Sequence, residues 1–420
     1  MRILVIHVAF CGSDRRLLQK YDSQGPKLRV PKGTGGFKMK HTISMFKATH
    51  AGMDAANRRG AKRILGLSLA AVTAAGGLTA LPALAGTAGA AGNTLLVAKT
   101  HSSDSGTCRV NACATIQYAV NQASPGDTVN VGKGTYHEQV QIIKAISLVS
   151  THQGTIIDGA GLDSKVGSQF GVVQFGDTNG AASISGFKIT NPVASAYDGQ
   201  PVAISVYNTT SSDSITISNN TITEGTADTS ANTEYPIGIA TYNNGPVVVQ
   251  NNKISGFFTG TLFENSESST FNSNTVTALV PSLADADNPS YPPVGAKFLA
   301  DDGGTYTNQN ASQNQFKKYA GAGIEMQAGY SSPAYGNVTG TESYNYFNLD
   351  AFAPDLGAGA FALDATTTGS TVTATLIGNS GIVRSPDLAI SENQWNPALP
   401  APDGPGIIHY TESGDSIRVK

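Results

Sequence analysis

The 420-residue chain is poor in the residues that most enzymes use for chemistry. It has three cysteines, one tryptophan and seven histidines, and only 14% of its residues are charged. Cys11 lies near the start, so Cys108 and Cys113 are the only pair available to the later chain. With His101 the only histidine close to that pair, a Cys/His metal centre lacks ligands. In an oxidising compartment a local Cys108–Cys113 disulfide is the expected outcome. Beyond residue 85 the only arginines are Arg109, Arg384 and Arg418, and the only histidines are His101, His137, His152 and His409.

Charge is divided unevenly. Residues 1–85 hold fourteen Lys and Arg against three acids, which leaves thirteen basic and twenty-seven acidic residues for 86–420. The net charge of −3 therefore hides a basic leader and an acidic body. An acidic body repels phosphate backbones, so nucleic acid is not an expected partner. It also repels a polyanionic glycan unless a cation bridges the two.

Long apolar runs are absent after residue 85. Before it, a basic stretch, Asn57 to Arg63, leads into the uncharged segment Ile64–Ala85, which ends in Ala83-Leu84-Ala85. That order has the form of a secretory signal. The expected organisation is a misassigned upstream extension over 1–52, a signal peptide over 53–85 and one domain over 86–420, with its core at about 93–396. Met39, Met45 and Met53 are the candidate starts. The mature protein is expected outside the cell, with no membrane contact after cleavage.

What the sequence does have is short β-rich runs broken by Gly, Asn and polar turns. One helix precedes them: Thr115 is a suitable N-cap, and Ile116, Ala119, Val120 and Ala123 fall on one face. Ser124-Pro125-Gly126-Asp127 ends it, and Thr128–Val131, Gly134-Thr135-Tyr136, Val140-Gln141-Ile142, Ile146–Val149 and Thr155-Ile156-Ile157-Asp158-Gly159 follow. Over residues 113–160 this order resembles the opening of the pectin-lyase-like superfamily. The resemblance implies an all-β, right-handed parallel β-helix whose first coil is covered by the helix. It implies little about chemistry, because lyases, hydrolases, esterases, epimerases and non-enzymes share the opening.

Internal repeats point to a solenoid independently. Asn-x-apolar recurs at Asn220, Asn252, Asn274, Asn314, Asn345 and Asn393, with spacings of 32, 22, 40, 31 and 48 residues. Each repeat carries a second β-run: Val202–Tyr207, Ile237–Tyr242, Gly260–Phe263, Lys297–Ala300, Gly323–Met326 and Phe361–Leu363. Asn at a turn adopts left-handed backbone readily and can pass amide bonds from coil to coil. A structural role is therefore expected for these Asn residues. Pro397–Lys420 reads as a cap or a loose tail.

The Gly-His-Gly, basic triplets and Asp–Arg–Gln sets of the superfamily's known enzymes are not found, so none of their functional residues transfers. Aligning the second runs puts Asn208, Asn243, Glu264 and Asp301 at equivalent places, with Asp302 next and Asp364 one place off. Stacked carboxylates there would suit Ca²⁺ or acid catalysis, so Glu264, Asp301 and Asp302 are the candidate catalytic and metal residues. Lys297, Lys317 and Lys318 are candidate base or glycan contacts. Tyr306, Tyr319, Tyr330, Tyr335, Tyr344 and Tyr346 supply sugar-stacking rings, with Tyr306, Tyr330 and Tyr344 as the chosen substrate contacts. Loop inserts at 278–296 and 347–358 would wall a groove. The sequence thus leaves two functions open. One is a secreted protein that binds or degrades a polysaccharide by lyase- or hydrolase-like chemistry. The other is a non-catalytic extracellular scaffold.

Overall fold

A computed structural model describes residues 92–100, 103–162, 171–194, 200–207, 209–210, 212–225, 236–242, 245–277, 293–317, 322–329, 336–348, 359–366, 369–383, 390–392 and 406–419. All lie within the unit Leu81–Lys420. The proposed leader, Asn208, Asn243, Lys318, Tyr319, Tyr330, Tyr335, Arg384 and Asn393 fall outside the described residues.

The described chain winds as a parallel β-solenoid. Three long sheets of eleven, ten and ten strands run its length, each built from every third strand or so. In one coil, Ile237–Tyr242 lies in the second sheet, Val247–Gln250 in the first and Lys253–Ser255 in the third. All pairs are parallel except Val193–Ala194, which runs antiparallel to Pro201–Tyr207. Parallel pairing stacks equivalent residues at the strand spacing of about 4.8 Å. Inward positions therefore form columns: Ile189, Ile222, Ile254, Val276, Phe316 and Phe347 succeed one another in the third sheet. The Phe316 and Phe347 rings stack at 5.4 Å, and Phe263 stacks on Phe298 at 4.9 Å.

The N-terminal end is closed as the sequence predicts. The helix Ile116–Gln122 buries Ile116, Ala119 and Val120 against the first coil. The Thr115 hydroxyl accepts the Tyr118 N–H, and the Glu138 carboxylate accepts those of Ile116 and Gln117 at 3.0 and 2.9 Å. Lys144 Nζ donates to the carbonyls of Val120, Asn121 and Ala123 at the other end. Positive charge there complements the helix dipole. The Cys108–Cys113 disulfide is present beside the cap.

The repeated asparagines form a buried ladder at the turn between the first and third sheets. Asn220 Oδ1 accepts the Phe187 N–H, and from Asn252 onward each Oδ1 accepts the backbone N–H and the Nδ2 of the Asn one coil earlier, through Asn274, Asn314, Asn345 and Asn379. Asp415 ends the row, accepting from Asn379 at 2.5 and 3.0 Å. Two corrections follow. The ladder passes through Asn379 and Asp415 after Asn345, where the sequence pattern expects Asn393. The left-handed residue is the one before the ladder position: Asn219, Asn251, Ser273, Gln313 and Tyr344 have φ of 54–57°. The chain beyond Pro397 contributes a further coil. Ile407–Ser413 pairs with Thr371–Ile377, and Ser416–Val419 pairs with Ser380–Val383.

Candidate functional site

Strands of the second sheet alternate inward and outward. Val206, Phe263, Phe298, Met326 and Leu363 enter the core. Their neighbours on either side therefore line the outer face in two rows. One row is Tyr207, Tyr242, Glu264, Leu299, Gln327 and Asp364; the other is Ser205, Ala240, Leu262, Lys297, Glu325 and Ala362.

This register corrects the alignment made from sequence. Glu264 stands opposite Leu299, two residues short of Asp301. Asp301 instead meets Asn265, whose Nδ2 donates to Asp301 Oδ1 at 2.7 Å while Asn265 Oδ1 accepts the Asp301 N–H. Asp302 accepts from the Gly304 N–H at 2.8 Å and the Tyr306 hydroxyl at 2.7 Å. Burial, that hydrogen bond and the charges of Asp302, Asp301 and Glu267 hold the Tyr306 phenol well above its usual range. Among the described residues no group of three His, Cys, Asp or Glu side chains is placed to hold a metal ion. The Ca²⁺ site drawn from Glu264, Asp301 and Asp302 therefore has no matching arrangement.

The remaining candidates separate. Lys297 and Glu264 share the outer face of the second sheet. Asp301, Asp302 and Tyr306 form a corner between the second and first sheets. Lys317 and Tyr346 lie on strands of the third sheet, and Tyr344 sits at the turn before Tyr346; Tyr344 and Tyr346 are 63% and 42% exposed.

The second sheet also gathers two residues that were not chosen as candidates. Lys297 Nζ lies 2.9 Å from Glu325 Oε1 on the next coil. Asp364, on the coil after that, is pushed up to about 7 by burial first and by the Glu325 charge second, with Lys297 opposing. Glu325 and Asp364 are 1% and 2% exposed, whereas Lys297 is 18% exposed and Tyr207, Tyr242 and Glu264 are half-buried. The Tyr207 and Tyr242 rings meet edge to face at 6.3 Å. One strip thus carries two aromatic rings, then a carboxylate, then an ion pair beside a carboxyl group that keeps its proton near neutrality. Glu325 has a sequence signal, being the one charge in an otherwise uncharged strand, Ala322–Ala328. Three further raised carboxyls lie elsewhere: Glu138 at the capping helix, raised by burial, Glu224, pushed up to about 7 by burial, and Glu342 inside the solenoid.

The family described as "Right handed beta helix region" matches residues 168–339. No curated protein matches the chain. Solved structures resemble it at low identity, three of them as follows. The endo-xylogalacturonan hydrolase from Aspergillus tubingensis is 14% identical, with 70% of this chain and 78% of that one covered and a TM-score of 0.43. Pectate lyase Pel9A is 14% identical over 78% and 77%, TM-score 0.33. The Streptococcus pneumoniae surface protein and adhesin PfbA is 12% identical over 69% and 91%, TM-score 0.28. Together with the three parallel ladders, the match over 168–339 shows that this chain folds as a right-handed parallel β-helix.

Proposed function

We propose that the protein is secreted and binds or degrades an extracellular polysaccharide along the outer face of the second sheet. Tyr207 and Tyr242 offer rings with polar tips, the side-chain type suited to sugar faces. Glu264 and the exposed part of Lys297 continue the strip. The observation that carries the reading is the Lys297–Glu325 ion pair beside Asp364, whose carboxyl is pushed up to about 7. Carboxyl groups with divergent proton affinities are what glycoside hydrolysis uses. In that chemistry Asp364 donates a proton to the leaving oxygen, and Glu325, held by Lys297, acts as base.

A second reading, a non-catalytic extracellular scaffold, is favoured by the burial of Glu325 and Asp364. Buried charges in a satisfied network are also found where they serve structure alone. The deciding experiment incubates purified protein with neutral and uronate polysaccharides, with and without Ca²⁺, and weighs the products. Products that gain water support the hydrolase and make Asp364→Asn the next variant. Products without added water assign a lyase and displace Asp364 from its role. Intact polymers across the panel, with no binding, leave the scaffold.

A further inference from the structure

The turn between the first and third sheets carries an aromatic residue where the backbone resists one. In coil after coil the residue before the ladder position is left-handed: Asn219, Asn251, Ser273, Gln313, Tyr344 and Gly378 have φ of 54–60°. Each donates its N–H to the last first-sheet carbonyl of the next coil, so the positions are equivalent. Amide and small residues fill this column except at Tyr344. A large side chain is disfavoured in this region, whereas Asn adopts it readily. The solenoid core does not need the ring, which is 63% exposed. Backbone strain kept at one turn of a repeating structure points to a use other than packing.

The ring is nevertheless held in place. Its Cδ1–Cε1 edge rests over Gly378, where an added Cβ would come within 2.9 and 2.7 Å of those atoms. Gly414 follows Gly378 in the column and adds no side chain. Tyr346, two residues on, sets a second ring, 42% exposed, on the outer face of the third sheet between Gln315 and Ser380. Across the turn, the outward residues of the first sheet are Thr341 and Ser343, with Thr375 beside Thr341 on the next coil. Among the described residues between 144 and 406, Tyr344 and Tyr346 are the only exposed large hydrophobic side chains. The two rings are therefore bordered by hydroxyl and amide groups, without the apolar surround that a protein anchor fills. A sugar fits such a border, because its C–H face packs on a ring while its hydroxyls bond to hydroxyls and amides.

We infer that Tyr344 and Tyr346 form a second glycan-contact site, on the corner between the first and third sheets and separate from the strip on the second sheet. Its ligand class is a polysaccharide chain, held by ring stacking and by hydroxyl and amide contacts. The inference shares only the polymer with the reading above, and it holds whether or not the protein cleaves what it binds.

The test measures retention of the purified protein by a β-glucan, a xylan, polygalacturonate and alginate. It compares the parent with Tyr344→Asn, Tyr346→Thr, their double variant, and a Tyr207→Ala/Tyr242→Ala variant of the second sheet. Asn stands at the equivalent turn positions 219 and 251, and Thr at the equivalent strand positions 221 and 275, so the substituted corner keeps its fold. Thermal melting checks this, with Tyr344→Asn expected at or above the parent. The expected result is that the parent is retained by at least one polymer and that loss of each corner ring weakens retention about fivefold. A folded double variant retained like the parent on every polymer would overturn the inference; weaker retention of the Tyr207→Ala/Tyr242→Ala variant would then leave the second-sheet reading standing. Weak retention of the corner double variant, with parental retention of the second-sheet variant, would uphold the inference and move the glycan off the second sheet. No retention of the parent by any polymer would overturn both.

Discussion

Asn274 Oδ1 accepts two hydrogen bonds from Asn252, the backbone N–H at 2.9 Å and the side-chain Nδ2 at 3.1 Å. Asn274 Nδ2 in turn donates to Val249 O and to Asn314 Oδ1. The residue is 1% exposed, so water cannot replace these bonds. Asn274→Ala removes the acceptor of two Asn252 donors and the donor to the Val249 carbonyl, while Asn314 Oδ1 keeps the backbone N–H of residue 274, and is expected to cost about 2–4 kcal/mol. Asn274→Asp keeps the acceptor but sets a carboxylate against two oxygens, and should cost as much. Asp415→Asn is expected within about 0.5 kcal/mol, because position 415 only accepts. Thermal and urea unfolding of the three variants measure the contrast; equal loss at 274 and 415 would refute the ladder's direction.

The ladder was the most legible part of the sequence, and its limits are physical. Asn-x-apolar marks a turn followed by an inward residue, so it found Asn220 through Asn345. Asn379 escaped because Ser380-Gly381 follows it, and at Gly381 a side chain would meet the backbone of Phe347. Asp415 escaped because only the acceptor half of the amide is needed at the last rung. The site was less legible. The strand Val294–Ala300 begins three residues before the run recognised in sequence, and that offset moved Asp301 into false register with Glu264. Lys297 and Glu325 are 28 positions apart in sequence and meet only because their coils stack in register. Inserts of unequal length between coils conceal such pairs from any fixed spacing.

Asp364 gives the protein a pH-dependent stability. Its folded pKa, about 7, lies above the ordinary 3.8, so the folded state keeps this proton longer than the unfolded state does. That contribution is complete below the ordinary value and is lost as pH rises through about 7. Glu224 acts with the same sign over the window from 4.5 to about 7. The melting temperature should therefore fall between pH 4 and pH 7, and Asp364→Asn should flatten part of that fall. A variant with the parent's slope would show that Asp364 is ionised throughout. If the carboxyl is also the acid of a glycan-cleaving reaction, turnover should decline above about pH 7.

Tyr344 holds a left-handed backbone, with φ of 54°, where the equivalent turns use Asn219, Asn251 and Gly378. A bulky side chain is costly there. Its ring lies over Gly378, where an added Cβ would come within 2.7 Å of Cε1. Tyr344→Asn is expected to stabilise by about 1 kcal/mol. Gly378→Ala should destabilise, and less so in the Tyr344→Asn background, since the ring clash disappears while the φ penalty remains. A double-mutant cycle on these two positions measures the coupling, and additive effects would count against it.

Glu342 is a carboxyl group inside the solenoid, in register with Ala311. Oε2 accepts the Ala311 N–H at 3.1 Å, and no partner faces Oε1. Burial pushes its pKa well above the ordinary 4.5, so the folded state keeps this proton to higher pH than the unfolded state does. The folded state holds the proton while the unfolded state releases it, so parental stability falls as pH rises past 4.5. Glu342→Gln removes that dependence. The melting temperature of the variant relative to the parent should climb as pH rises above 4.5, and a constant difference would mean that the carboxyl is already ionised when folded.

The Lys297–Glu325 pair separates a structural from a functional role. Lys297→Met leaves Glu325 charged, 1% exposed and without its cation, and should destabilise by roughly 3 kcal/mol, the low end for a broken buried pair because Lys297 is partly exposed. Glu325→Leu in the same chain removes the stranded charge, so the double variant should recover most or all of the loss. Stability alone does not need the pair, and glycan binding tells what does. If the double variant folds like the parent and still binds polysaccharide unchanged, the pair serves only packing and the strip's chemistry lies with Tyr207, Tyr242 and Glu264. If it folds like the parent and loses glycan turnover, the charges are kept for the reaction.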